Sequence, residues 1–266
     1  MLAPGTLPCK NSDEMRRTFS FLLLLLLLSA CAEPPGLLWS EEFDGQQLDP
    51  DTWNFELGDG CPDLCGWGNN EAQAYTRDNH RLEDGKLIIT ARRQDSAYTS
   101  TRITTRGKME FQYGRVEARA KLPKGTGVWP AIWLLGSNIG EVGWPRCGEI
   151  DILEYVGKNP GMIYTSLHTP DSHGNTINAR KTAVEGIEEG FHLYAVEWEP
   201  DRIEFFVDGQ SVYTFAPEER TKEVWPFDQP FYLILNLAVG GNFGGPDIDD
   251  SIFPQEFVID YVRIFK

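Results

Sequence analysis

Ten short apolar segments follow one another between residues 86 and 265: KLIITA, RVEARAKL, WPAIWLL, EIDILEYV, MIYTSLH, FHLYAVEW, RIEFFV, SVYTF, FYLILNLAV and EFVIDYVRIF. Gly, Asp, Pro and Asn part them, which is the pattern of strands separated by turns. In RVEARAKL, Arg115, Glu117, Arg119 and Lys121 alternate with Val116, Ala118, Ala120 and Leu122, so one face of that strand meets a core and the other meets water. FFVDGQSVYTF reads as a hairpin turning at Asp208 and Gly209. No long run carries an apolar stripe of helical period. Such a chain buries its apolar faces by packing sheet on sheet, and the expectation is an all-β fold, an antiparallel sandwich of the jelly-roll type. Composition alone does not separate that from a barrel.

The chain has 266 residues and a formal charge of −16. That balance speaks against nucleic acid as a partner, which calls for a basic footprint, and against polyanionic substrates. A neutral ligand fits better.

At the N-terminus, MRRTFSFLLLLLLLSAC carries Arg16 and Arg17 and then a leucine-rich run ending in small residues. This is the pattern of a secretory signal beginning at Met15, and the run is shorter than the ~20 residues of a spanning helix. Its end, LSAC, resembles a bacterial lipoprotein box with Cys31 as the lipidated residue. Residues 1–31 are therefore expected to be extension and signal peptide, 32–36 a tether, and 37–266 one catalytic domain. The expected location is the bacterial cell envelope, at the outer membrane, or outside the cell, with contact to membrane only through the lipid.

Cys61, Cys65 and Cys147 then remain for folding. A local Cys61–Cys65 bridge leaves Cys147 buried and free, and a bridge from Cys147 to either is the alternative. CPDLC lacks a second Cys or His cluster at zinc spacing.

GEIDILEYVG places Glu149, Asp151 and Glu154 within six residues of an otherwise buried strand. Side chains alternate along a strand, so Glu149 and Asp151 share a face and a regular strand sends Glu154 to the other. Either Glu154 is an unrelated outward acid, or a β-bulge at Ile152 and Leu153 returns it to its partners. Two carboxylates about 5 Å apart repel by roughly 3 kcal/mol at an effective dielectric near 20, about two pK units. Retaining glycosidases use this arrangement, with one carboxylate ionised as nucleophile and one protonated as acid. The alternatives are a solvated charged edge or an oxygen-ligand site for calcium, but the interleaved Ile150, Ile152 and Leu153 argue against an open edge. Trp129, Trp133 and Trp144 lie close by in sequence, and indole faces suit the apolar faces of sugars.

From Leu38 to Lys266 the chain resembles glycoside hydrolase family 16, in its bacterial laminarinase branch of endo-β-1,3-glucanases. The motifs that carry the resemblance are WSEEFDG, CGWGNNEAQAYT, RGKMEFQYGRVEARAKLPKGTGVWPAIWLLG, GWPRCGEIDILEYVG, SLHT, FHLYAVEWEPDRIEFFVDG and WPFDQPFYLILNLAVGGNFGG. The acidic motif with one extra residue marks this branch; lichenases of the family space the acids two apart.

The resemblance implies a jelly roll with a concave substrate cleft and retaining hydrolysis of β-1,3-glucan. Glu149 is then the nucleophile, Asp151 its helper and Glu154 the acid/base. By the same likeness Asn70, Glu71, Arg102, Trp133, Trp144 and His168 line the cleft, and Glu42, Gly85 and Asp260 hold a structural calcium ion on the opposite face. No cofactor is implied for catalysis, and a monomer is expected. Pro145, Arg146 and Cys147 stand where the family varies, so fine specificity does not carry over. Two other readings are a mixed-linkage β-glucanase or other polysaccharide hydrolase of the family, and a glucan-binding protein without activity. Retention of both glutamates argues against the last.

Overall fold

The alternation in RVEARAKL is realised in the strand Gly114–Lys121, where Val116, Ala118 and Ala120 are fully buried and the charged residues between them are not. The structure, a computed structural model, describes residues 36–266; the expected signal segment, Cys31 and residues 32–35 of the expected tether lie outside the described residues. All ten segments form strands, and DG at Asp208 and Gly209 turns its hairpin with positive φ at both positions.

Two sheets result. One runs in the order Ala179–Ala183, Met162–His168, Glu149–Tyr155, Val128–Gly136, Phe231–Val239, Arg102–Thr104, Asn54–Glu56. The other is built around Gly114–Lys121, His192–Trp198 and Gln255–Phe265. Ile132, Leu134, Ile150 and Leu233 of the first pack on Val116, Val196, Val262 and Ile264 of the second in one continuous core. This is the antiparallel jelly-roll sandwich, with one exception: Gln73–Tyr75 and Ala97–Ser100 pair parallel.

The acidic strand is bulged. Across the ladder, Ala131 stands opposite Glu154, Ile132 opposite Leu153 and Trp133 opposite Asp151, so Ile152 has no partner on that side. On the other side Asp151 pairs with Ser166 and Glu154 with Tyr164, so Ile152 and Leu153 together face the single residue Thr165. Both are 0% exposed in the core, and each such side chain contributes about 1.5–3 kcal/mol by burial. The core thus takes two consecutive apolar residues, and the bulge returns Glu154 to the face of Glu149 and Asp151.

Deleting Ile152 is accordingly expected to give a regular ladder with all three acids still on one face. Denaturant unfolding should show a loss of about 2–4 kcal/mol from the missing core side chain. Activity should survive better than in any substitution of Glu149 or Glu154.

Candidate active site

On the face turned away from the core, the sheet register lays side chains out in rows. One row runs Lys181, Tyr164, Glu154, Ala131, Asn236, Arg102, Glu56. The next runs Ser166, Asp151, Trp133, Ile234, Thr104. A third holds His168, Glu149, Leu135 and Tyr232. Alternation along each strand is what puts these residues on one side. Gly136 lets the backbones close up at one end: a Cβ there would lie 1.9 Å from the Cys147 carbonyl oxygen.

Each glutamate has its own indole. Trp144 Nε1 donates to Glu149 Oε2 at 2.8 Å, and Trp129 Nε1 donates to Glu154 Oε1 at 3.1 Å. An indole N–H only donates, so both of those oxygens accept. Glu154 Oε2, which accepts only a long bond from Ser166 Oγ at 3.4 Å, is the oxygen left to carry the proton of a neutral Glu154. On Glu149, Oε1 is the freer oxygen. Asp151 is 3% exposed, and its Oδ2 lies 3.1 Å from His168 Nε2, which is 3.7 Å from Glu149 Oε1.

Burial first, and the charge of Asp151 second, push Glu154 up to about 8 and Glu149 to about 7. Glu149 keeps 17% of its side chain exposed, so water weakens its shift. The useful result is the direction: both glutamates hold their protons more tightly than a free carboxyl does, so the pair resists carrying two charges at once. For His168, burial opposes the charge, but Glu149 and then Asp151 outweigh it and hold the ring's proton up to about 10. Against that, the backbone N–H of Gly174 donates to His168 Nδ1 at 3.1 Å, which requires a lone pair there. That hydrogen bond selects the neutral ring with its proton on Nε2, facing Asp151.

The other expected residues fall into two groups. Trp144 is 43% exposed and packs beside His168 and His173 at centroid distances of 5.8 and 5.2 Å. Trp133 is partly exposed next to Asp151, with the Arg102 guanidinium 4.9 Å from its ring centre. Asn70 sits at the rim, exposed, donating to Asn242 Oδ1 at 2.8 Å, and Glu71 lies beside it.

Trp129 differs from expectation. It is 8% exposed, packs edge-on against Phe243 and hydrogen-bonds Glu154, so it serves the acid rather than offering a ring face to a sugar.

Several residues were not singled out in the sequence. They are Trp67, whose ring covers the other side of Arg102 at 4.6 Å, Glu56, which ion-pairs Arg102, Tyr75, Ser166 and Asn236. Asn236 left a signal, as the only amide in FYLILNLAV.

Cys61 and Cys65 are joined, and Cys147 is buried and free, which settles the bridging alternatives. Burial and the neighbouring Glu149 charge push the Cys147 thiol up to about 12, leaving it unreactive in a buried cluster with Leu135, Tyr232 and Ile234. At the expected calcium position, the carboxylates of Glu42 and Asp260 are engaged by Arg263 and Arg119. They do not fit as free side-chain ligands. The oxygens near Gly85 are Asp44 Oδ1 and the Glu42 carbonyl, 2.9 and 3.9 Å from where a Cβ would lie.

Two carboxyl groups of raised proton affinity, each anchored by its own indole on an open sheet face, equip the chain for acid-assisted displacement at a sugar carbon, and the protein is a glycoside hydrolase. Residues 68–263 match glycosyl hydrolases family 16, and the chain belongs to that family. A beta-glucanase of Rhodothermus marinus is 41% identical over 287 residues, spanning 98% of each chain. The crystal structure of laminarinase from Flavobacterium sp. UMI-01 superposes with a TM-score of 0.85 at 63% identity, over 86% of this chain and 100% of that one. The laminarinase catalytic domain from Thermotoga maritima MSB8 gives 0.81 at 45% identity, over 86% and 97%.

Proposed function

We propose that the protein is an endo-β-1,3-glucanase that hydrolyses β-1,3-glucan with retention of configuration. The observation that carries this is the bulge at Ile152, which sets Glu149, Asp151 and Glu154 on one face, where burial and the charge of Asp151 raise the proton affinity of both glutamates. Relatives named for laminarin and β-glucan support the substrate.

Glu149 Oε1 attacks the anomeric carbon while Glu154 protonates the departing glycosidic oxygen. The resulting ester no longer carries charge, so Glu154 loses the neighbour that helped hold its proton and becomes the base for water. Asp151, with His168 beside it, orients Glu149 and tunes its basicity. Trp133, Trp144, Arg102 and Asn70 hold the chain of sugars along the face.

The test is an assay panel of laminarin, curdlan, lichenan and agarose with products sized. Laminarin and curdlan should be cut internally to short oligosaccharides. Cleavage of agarose without cleavage of laminarin would overturn the substrate assignment, and strong lichenan cleavage would widen it to mixed linkages.

Two further proposals rest on sequence. Cys31 is the lipid-bearing residue of an exported, envelope-anchored chain with one catalytic domain over 37–266, acting as a monomer; unchanged membrane association in Cys31→Ser cells would remove the anchor. A structural calcium ion at Glu42, Gly85 and Asp260 would have to draw on the Glu42 carbonyl and the Asp44 carboxylate near Gly85, since arginines engage the Glu42 and Asp260 carboxylates. Equal melting temperatures in calcium and in chelator would remove it.

A further inference from the structure

Trp133 and Glu71 are joined by a chain of hydrogen bonds with a fixed direction. Because an indole N–H only donates, the Asn236 atom 2.8 Å from Trp133 Nε1 is the amide oxygen. The Asn236 amide NH2 then faces Tyr75, whose oxygen accepts at 3.1 Å. That leaves the Tyr75 hydroxyl to donate to Glu71 Oε2, also at 3.1 Å. Gln73 Nε2 donates to the same oxygen at 2.6 Å, and Asn69 Nδ2 donates to Oε1 at 3.3 Å. Burial raises the proton affinity of this carboxyl group, the three donors and the Arg102 charge favour its ionised form, and the chain ends on it. Tyr75 and Asn236 are 1% and 5% exposed, so solvent does not readily replace a lost partner.

The same block is closed on its other side. The Arg102 guanidinium lies between the rings of Trp133 and Trp67, Trp67 packs on Tyr75 at 5.4 Å, and Glu56 pairs with Arg102. Trp133 is thereby held by its N–H and by its face at once, directly across the ladder from Asp151.

We infer that Glu71, Tyr75 and Asn236 are positioning residues for Trp133, fixing the tilt of the indole on which a sugar ring rests beside the catalytic acids. The inference rests on the β-glucan reading for what Trp133 holds, though not for the chain itself. It reassigns Glu71, whose carboxylate is spent on internal donors rather than directed at substrate. Loss of a link would let the indole turn and weaken sugar binding while leaving Glu149 and Glu154 in place.

The test uses Tyr75→Phe, which removes one oxygen, and Glu71→Gln, which removes the terminal charge. In each, the Trp133 indole N–H resonance is followed in 15N-labelled protein, identified by its disappearance in Trp133→Phe, and kinetics are measured on soluble laminarin. The resonance should move in both variants while that of the core residue Trp198 stays. KM should rise about 5- to 10-fold with kcat within about twofold. A Trp133 resonance unchanged in a folded variant, or a fall in kcat with KM unchanged, would overturn the inference. If Tyr75→Phe does not fold, Glu71→Gln decides, since it leaves the three other side chains intact. If the wild type does not cut laminarin, the glucan reading fails, and the resonance alone decides the positioning role.

Discussion

Glu149→Ala is expected to lose turnover of β-1,3-glucan by on the order of 10⁴- to 10⁶-fold, the scale on which removal of a nucleophile is felt. No neighbour can take its place: Asp151 is buried with Oδ2 toward His168, and Glu154 is held by Trp129. The missing side chain leaves a space beside the anomeric carbon that a small anion can enter. With an activated aryl β-glycoside, azide should restore turnover and yield the α-glycosyl azide, because it attacks from the face Glu149 occupied. A β-azide from this variant would exchange the roles of the two glutamates.

Glu154 should give two separable effects. Glu154→Ala should slow glucan hydrolysis by about 10²- to 10⁴-fold, keep glycosylation by an activated aryl substrate whose leaving group needs no proton, and give the β-azide. Stability should move the other way. The folded-state pKa of Glu154 lies above its ordinary value of 4.5, so the protonated form is favoured by folding. That contribution is complete below pH 4.5 and is lost as pH rises through about 8. Glu154→Gln cannot ionise and should be the more stable protein at pH 8 to 9 by about 2–4 kcal/mol, with the difference vanishing near pH 4. Equal stability at both pH values would mean that the pocket does not resist the charge.

What could be read from the sequence was what is local. The ten long segments announced themselves because each has its own alternation or apolar run, and the two possibilities for Glu154 followed from counting residues. The short strands Arg102–Thr104 and Asn54–Glu56 carry too few residues to show a period, and Ala179–Ala183 is an exposed edge without an apolar face. Trp129 was misjudged because nothing in GVWPAIWLL distinguishes an indole that faces solvent from one that leans on Phe243. Trp67, Tyr75 and Asn236 meet only through sheet order: Asn236 and Tyr75 are 161 residues apart in the chain. A lone amide within FYLILNLAV was a sign of a buried polar partner, but not of which one. For Glu42 and Asp260, local spacing could not show that Arg263 and Arg119 reach both carboxylates.

The central claim is that Glu149 and Glu154 act in sequence through a glycosyl ester, and the configuration of the first-formed product tests it most directly. Proton NMR of laminarin hydrolysis, recorded before mutarotation, should show the β-anomer at the new reducing end appearing first and the α-anomer growing in only afterwards. Initial appearance of the α-anomer would mean a single displacement by water and would contradict the assignment of Glu149 as nucleophile.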